Sequence, residues 1–227
     1  MSLAHRSTQA EQMDTECKDF EEYRRCLRDL SRVNVVTFTH RPMLRWLARN
    51  TDNSGRFSVL DIACGHGDAL RHIRRHYPAA RLEGVDLNPW STRAASEATD
   101  PADGIVFHTD DAFAFAPPLP FDFIISSQFT HHLTDDQVVD FLRWLRSHAA
   151  KGWFISDLHR NFVPYYGFPL LARLAGWHRI VRQDGQISIA RAFIRAEWLE
   201  LLRRADITDH QATVAWYLPF RLCVASR

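Results

Sequence analysis

Apolar residues recur along the chain at two spacings, and the change from one to the other separates the predicted elements. Over residues 20–50 they follow a helical spacing, and Pro42 stands where a second helix can begin. After residue 56 short apolar runs alternate with helical segments. The predicted strands are 57–62, 81–86, 105–108, 121–127 and 153–156, with helices at 69–77, 91–98 and 134–148 between them. This alternation predicts an α/β fold, in which helices cover both faces of a parallel sheet.

The alternation ends after Asp157, where an aromatic-rich insertion begins. Residues 158–195 precede the next amphipathic helix, 196–204, and a final strand pair, 215–218 and 221–224. An insertion beside the carboxyl edge of a sheet can form a lid or a ligand pocket. The alternatives are a helical pair that adds to the core and a surface through which two copies form a homodimer.

The ends of the chain and its linkers complete the predicted organisation. Residues 1–19 are polar and carry acids among their bases, so we expect a flexible N-terminal tail without the apolar core of a signal peptide. A turn is predicted at 53–55. Residues 20–227 form one predicted domain, with N-terminal helices at 20–50 and the insertion at 158–195 as a helical lid.

Composition argues against several classes of protein. Lys and Arg number 28 against 27 Asp and Glu in 227 residues, so the formal charge of +1 disfavours a nucleic-acid partner, which requires clustered cations. With 46% hydrophobic residues the chain is not of the disordered class. No segment approaches the roughly 20 apolar residues of a membrane-spanning helix. The four cysteines lack a disulfide or CxxC spacing, so we expect a cytoplasmic protein with reduced thiols.

A glycine-containing turn follows the first predicted strand. Asp61 ends this strand, and Gly65 and Gly67 lack the Cβ atom that would keep a ligand away from the backbone. The third small residue of a dinucleotide fingerprint is missing, because that position is Leu70. Asp61 would also repel a pyrophosphate, whereas it suits a ligand with an ammonium group. The turn therefore predicts a ligand other than NAD.

Acidic residues also follow the next two predicted strands. Asp86 ends the second strand, where a carboxylate can accept hydrogen bonds from both hydroxyls of a ribose. Asp110 and Asp111 follow the third strand, where a carboxylate can bind an adenine amino group and Phe113 can stack on the ring. Three such features in order, at successive strand ends, predict a ligand that contains adenosine.

Together these segments resemble the class I S-adenosylmethionine-dependent methyltransferases. Residues 61–67 match the first motif of that family, although Ala63 stands where a glycine is more usual, and segments 110–112 and 126–133 match later motifs. The resemblance implies a Rossmann-like, seven-stranded, mostly parallel sheet and S-adenosylmethionine as cofactor. The cofactor-binding residues that it implies are Asp61, Ala63, Cys64, Gly65, Gly67, Asp86, Leu87, Asp110, Asp111, Ala112, Ser127 and Gln128.

Other segments resemble a narrower group, the bacterial small-molecule methyltransferases of quinone and phenolic polyketide type. These segments are 27–34, 156–160 and 184–193. The resemblance implies that the N-terminal helices and the insertion close over a small aromatic acceptor, methylated on oxygen rather than carbon, as in natural-product biosynthesis. A cofactor-binding scaffold protein without turnover, and a methyltransferase acting on protein or RNA, are the alternatives.

Methylation of a phenol is helped by a nearby base, because the phenolic pKa lies near 10. The predicted catalytic residues follow the fourth and fifth strands and are His131, His132, Asp157 and His159. For each of them a capping or packing role is the alternative. His72 and His76 share one helix face, but two ligands do not form a zinc site, so no metal is predicted.

Overall fold

The computed structural model describes residues 3–52, 54–116 and 119–227, so Asn53 of the predicted turn lies outside the described residues. The strands are β1 (Ser58–Ile62), β2 (Arg81–Asp86), β3 (Val106–Thr109), β4 (Phe121–Ser127), β5 (Ala149–Leu158), β6 (Ala212–Tyr217) and β7 (Arg221–Ser226). They form one seven-stranded sheet in the order β3-β2-β1-β4-β5-β7-β6. Neighbours from β3 to β5 are parallel, whereas β7 is antiparallel to both β5 and β6. The predicted α/β fold with a mostly parallel sheet is confirmed.

The helices flank this sheet and also precede and interrupt the alternating part of the chain. They are α1 (Gln12–Thr15), α2 (Phe20–Val36), α3 (Arg41–Asn50), α4 (Asp68–His76), α5 (Pro89–Glu97), α6 (Asp135–His148), α7 (Phe162–Leu174), α8 (Arg179–Arg191) and α9 (Arg195–Arg204). The start of α6 is fixed by a capping box between Thr134 and Gln137. Among the described helices, none combines the length and the apolar character that crossing a bilayer requires.

The central strands are apolar on both faces because both faces are covered. Leu60 and Ile62 of β1 join a buried cluster that includes residues of α6 and α9. Val59, one position before Leu60, packs on the opposite face with Leu47 of α3 and Leu70 of α4. This burial on two sides explains why the consecutive residues Val59 and Leu60 of β1 are both apolar.

The N-terminal segment, expected to be a flexible tail, is instead packed against the insertion. The backbone N–H groups of Gln12 and Met13 donate to the carboxylate of Asp184 in α8 at 2.7 and 2.8 Å. The guanidinium of Arg6 lies 3.6 Å from the centre of the Phe193 ring. Each of these contacts joins residues far apart in the sequence. The polar composition of the segment therefore gave no sign of them.

The insertion between β5 and α9 contains α7 and α8, which pack against α2. Cys26 and Val33 of α2 form one buried cluster with Ala172, Trp177 and Ile180 of the insertion. The N-terminal helices and the insertion thus form one layer beside the carboxyl ends of β4 and β5, where the candidate site lies.

Candidate active site

The turn between β1 and α4 is shaped by left-handed backbone. Ala63, Gly65 and Gly67 have φ angles of 56°, 51° and 70°. A Cβ on Gly67 would lie 2.7 Å from the ring of Phe107, so this glycine is required by the packing of the turn on β3. A Cβ on Gly65 would meet no described atom within 4 Å. Gly65 therefore borders open space, in which a ligand can approach the backbone.

Asp61 carries a buried carboxylate beside this turn. The residue is 2% exposed, and its Oδ1 atom has no hydrogen-bond partner among the described residues. Burial and the neighbouring Asp68 and Asp86 raise the pKa of Asp61 well above its usual value. A cationic group of a ligand would satisfy this oxygen and favour its ionised form.

Asp86, at the end of β2, is tied to the same turn. Its two carboxylate oxygens accept hydrogen bonds from the N–H groups of Gly65 and Asn88, each at 2.9 Å. Burial raises the pKa of Asp86, although these two hydrogen bonds act in the opposite direction. The Ser91 side chain also hydrogen-bonds this carboxylate. A carboxylate can accept about four hydrogen bonds, so the side chain is held in place with acceptor capacity left for a hydroxyl group.

A polar network on the other side of the turn joins the predicted site residue Gln128 to Asn34, His40 and Asp68, which were not among the predicted site residues. The carboxylate of Asp68 accepts from His40 Nε2 at 2.8 Å and from Asn34 Nδ2 at 3.0 Å. Asn34 Oδ1 in turn accepts from Gln128 Nε2 at 2.7 Å. In the sequence, the signal that could have indicated this network is Asp68, an acidic residue in the first turn of α4. Its partners come from α2 and from the start of α3, and their spacing carries no motif.

The structure places the predicted cofactor residues in two groups. A cleft at the turn is lined by Asp61, Ala63, Cys64, Gly65, Ser127 and Gln128, together with residues of α2. Gly67 closes the same turn at the start of α4. The others lie around the ends of β2 and β3, where the Asp110 N–H donates to the carbonyl oxygen of Asp86 at 3.2 Å. Leu87, Asp110 and Asp111 are exposed, and Ala112 is half-buried. Their roles in binding stay predictions.

A second, larger cavity of about 270 Å³ adjoins the cleft. It lies between α2, the insertion and the ends of β5 and β7, and most of its wall is apolar. Leu30 of α2 and Gln128 after β4 line both spaces. The cleft and the cavity therefore meet at these two side chains.

His131 and Asp157 lie in a buried network rather than on the wall of this cavity. His131 Nδ1 is 2.7 Å from Asp157 Oδ1, and His131 Nε2 is 3.3 Å from Glu11 Oε1. Burial favours the neutral imidazole, but the two carboxylates outweigh it and raise the pKa of His131 to about 9. Both ring nitrogens are engaged, and the protonated ring cannot accept a proton at neutral pH. This network attaches the N-terminal segment to the end of β5.

The other two predicted catalytic residues have neutral rings at pH 7. Burial and the positive charge of His131 lower the pKa of His132 to about 4. Burial and the neighbouring Arg160 lower the pKa of His159. The Nδ1 atom of His159 is buried without a hydrogen-bond partner in the part of the chain that the structure describes. Of the four predicted catalytic residues, His159 is the one whose side chain lines the cavity.

Three side chains are close enough together to hold a metal ion. The ligand atoms of Glu11, His131 and His132 lie within 4.8 Å of one another. Glu11 Oε1 also accepts a hydrogen bond from Ser188 Oγ at 2.6 Å, and His131 is held by Asp157. These polar atoms are thus satisfied by one another, and we assign no metal to them.

Comparison with known proteins connects this geometry to a family. The family described as "Methyltransferase domain" matches residues 59–152. Trans-aconitate 2-methyltransferase of Mycobacterium tuberculosis is 28% identical over 104 residues, 46% of this chain and 38% of that protein. The 2-methyl-6-phytyl-1,4-hydroquinone methyltransferase of Synechocystis is 31% identical over 104 residues, 45% of this chain and 32% of that protein. The chain thus spans about a third of the length of these relatives.

Solved structures give the fold over nearly the whole chain. The plantazolicin methyltransferase BpumL, in complex with SAH, aligns with a TM-score of 0.67 and 14% identity over 95% of this chain and 92% of that one. Human N-acetylserotonin methyltransferase, in complex with SAM, aligns with a TM-score of 0.62 and 17% identity over 92% of this chain and 56% of that one. The chain thus has the fold of the class I S-adenosylmethionine-dependent methyltransferases, and its residues 59–152 match the methyltransferase-domain family.

The cleft fits S-adenosylmethionine, the cofactor bound in a solved structure of this fold. Asp61 offers a buried oxygen without a partner among the described residues, and S-adenosylmethionine carries an ammonium group. Asp86 keeps acceptor capacity for ribose hydroxyls. Gly65 leaves the space that a side chain would fill. We therefore name Asp61, Gly65 and Asp86 as the residues that would hold the cofactor.

Proposed function

We propose that this protein transfers the methyl group of S-adenosylmethionine to an oxygen atom of a small aromatic acceptor, phenolic or quinone-like, bound in the 270 Å³ cavity. The observation that carries the proposal is the common wall of the two spaces at Leu30 and Gln128. An acceptor in the cavity and a cofactor in the cleft would meet there. A hydroquinone methyltransferase among the relatives supports this acceptor class.

When bound, S-adenosylmethionine supplies an activated methyl group on a sulfonium centre. The chain's task is then to position an acceptor and to exclude water. Asp61 would hold the ammonium group of the cofactor, and Asp86 would hold its ribose. The cavity wall contributes apolar side chains of α2, α7 and α8, such as Val33, Phe168 and Val181. An enclosed apolar space keeps water away from the reacting oxygen.

His159 is the residue we propose as general base. It follows β5, lines the cavity, and is held through its backbone N–H, which donates to the carbonyl oxygen of Phe220 at 3.0 Å. Its lowered pKa keeps the ring neutral at pH 7, so a ring nitrogen can accept the phenolic proton. The acceptor oxygen then carries the negative charge with which it attacks the methyl group.

The shape of the cavity supports turnover of a small molecule over the alternative functions. A scaffold protein would be favoured if Tyr165, Tyr166 or Trp177 filled the cavity. Tyr166 is instead 66% exposed, and Trp177 stacks on Phe168 with ring centres 6.0 Å apart. A protein or RNA acceptor would need an open groove, whereas α7 and α8 cover this space.

The test is methyl transfer to a panel of hydroxylated aromatic compounds, followed by mass spectrometry of the products. We expect a methylated product with at least one phenol or hydroquinone, dependent on S-adenosylmethionine. Matched methoxy compounds, which lack the reacting hydroxyl, are the control. Methylation confined to carbon would refute the O-methylation assignment. Methylation of the protein or RNA controls alone would refute the small-molecule acceptor.

A further inference from the structure

Arg221 is a buried cation at the wall of the acceptor cavity. It opens β7, is 2% exposed and lines the cavity together with Phe220. Its Nη2 atom donates to Thr37 Oγ1 at 3.2 Å. Its Nε and Nη1 atoms have no hydrogen-bond partner among the described residues. No carboxylate of the described chain lies within ion-pair distance of the guanidinium.

Such an arrangement is costly unless something else compensates it. A buried ion without a direct partner loses its hydration and gains little in return. Burial lowers the pKa of Arg221 to about 10, which still leaves the guanidinium charged at neutral pH. Asp157 and Asp68 attract it from a distance but do not touch it. The positive charge at this wall is therefore present without a carboxylate in contact with it among the described residues.

The other charged groups of the wall already have partners. Glu11 interacts with His131 and accepts from Ser188 Oγ at 2.6 Å. Asp184 accepts from two backbone N–H groups of the N-terminal segment. The lowered pKa of His159 keeps its ring uncharged at pH 7. Among the charged groups of the wall, Arg221 is the one whose Nε and Nη1 atoms have no hydrogen-bond partner within the described residues.

We propose that Arg221 forms an anion-binding subsite and that the acceptor is an acid, with an apolar ring body and a carboxylate that binds this guanidinium. The proposal rests on the proposed function, because it names the substrate class of that same cavity. A guanidinium offers paired N–H donors that match the two oxygens of a carboxylate, and such a contact is strong where water is excluded. The apolar remainder of the wall would cover the ring.

The experiment uses two probes of equal shape, 2-naphthoate and its uncharged analogue 2-naphthamide, titrated calorimetrically into the protein with S-adenosylhomocysteine present. The carboxylate should bind at least about ten-fold more tightly than the amide, the scale of one charge-assisted contact. Equal binding of the two probes, tighter binding of the amide, or no binding of either at millimolar concentration would overturn the proposal. This comparison needs no variant, so it holds even where a substitution prevents folding.

Variants then locate the preference. Arg221→Met should remove the preference for the carboxylate, whereas Arg221→Lys should retain part of it. Arg203→Met, at an exposed position of α9, is the matched control and should behave as wild type. A preference that survives in folded Arg221→Met would show that another group binds the anion. Binding of S-adenosylhomocysteine is measured separately, so its loss marks failure of the proposed function rather than of the subsite.

Discussion

At the scale of single residues, two glycines of one turn are required for different reasons. A side chain on Gly67 would collide with Phe107 of β3, whereas a side chain on Gly65 would enter the cleft. Both have left-handed backbone, which a Cβ atom strains. Substitutions of Gly67 and of Gly65 should therefore separate an effect on stability from an effect on ligand binding.

The first prediction concerns the stability of this turn. Gly67→Ala should lower the free energy of unfolding by about 2–4 kcal/mol, because overpacking adds to the backbone strain. The matched control is Gly104→Ala, with a φ of 61° and no described atom within 4 Å of the added Cβ. The control should lose about 1 kcal/mol, from strain alone. Equal losses in urea denaturation would contradict the packing argument.

The second prediction concerns the proposed base. His159→Gln should lower kcat by about 10²–10⁴-fold, the usual contribution of a general base, and leave KM for the phenol nearly unchanged. His76→Gln, on the exposed end of α4, is the control and should keep wild-type rates. Steady-state kinetics across pH 6–9 checks this prediction. An unchanged kcat in the His159 variant would remove the assignment.

At the residue scale, the sequence indicates which side chains come together where they stand at the ends of neighbouring strands. Asp61, Gly65 and Gln128 line one cleft because they follow adjacent parallel strands. Arg221 had no such sign, since its hydrogen-bond partner Thr37 lies 184 positions away. The Glu11–His131 contact could not be predicted from the sequence either, because Glu11 belongs to a segment without a periodic pattern.

At the scale of elements, interactions between charged side chains hold the N-terminal segment against the sheet. Glu11 reaches His131, which is held by Asp157 at the end of β5. His131 outweighs the effect of burial and lowers the pKa of both carboxyl groups to about 2. The imidazolium ion of His131 thereby connects the N-terminal segment, the loop before α6 and the end of β5.

The third prediction is a pH dependence of stability. The pKa of His131 is about 9 in the folded protein and about 6.5 in an unfolded chain, so its contribution is complete below about pH 6.5 and disappears as the pH rises through 9. The carboxylates contribute above about pH 4.5 and lose their contribution as the pH falls towards 2. The network should therefore stabilise the fold most between about pH 4.5 and 6.5.

Glu11→Gln tests this reasoning. It should cost about 1–3 kcal/mol at pH 6 and flatten the decline in stability between pH 6.5 and 9, because His131 loses one of its two carboxylate partners. Glu21→Gln, exposed on α2, is the matched control and should follow wild type. The measurement is urea denaturation at several pH values. A variant with an undiminished decline would show that His131 is not its source.

The elements themselves were predicted to different degrees. The apolar runs of β1 and β4 and the capping box of α6 are local signals, and the structure has these elements within a few residues of the predicted bounds. The short α1 has only four residues and depends on contacts with α8, so no local signal marks it. In α7 the internal Pro169 obscures the helical pattern.

At the scale of the whole molecule, the chain has almost no net charge and forms a sheet with a layer of helices beside the carboxyl ends of its central strands. The sheet edge carries the acids that we propose for cofactor binding, and α2, α7 and α8 line the proposed acceptor cavity. The charge balance agrees with this division, since a small-molecule acceptor requires no extended basic surface. The homodimer expected as a possibility stays a prediction, with the exposed Phe162, Tyr166 and Leu170 of α7 as its surface.

The most direct test of the whole account is calorimetric titration of the wild-type protein with S-adenosylhomocysteine, beside Asp86→Ala and the exposed control Asp100→Ala. We predict one binding site with a micromolar or tighter Kd in wild type and in the control. The Asp86 variant should bind about 10–100-fold more weakly, because a charge-assisted hydrogen bond is lost. No heat of binding and no rise in Tm at millimolar ligand in the wild-type protein would contradict the account.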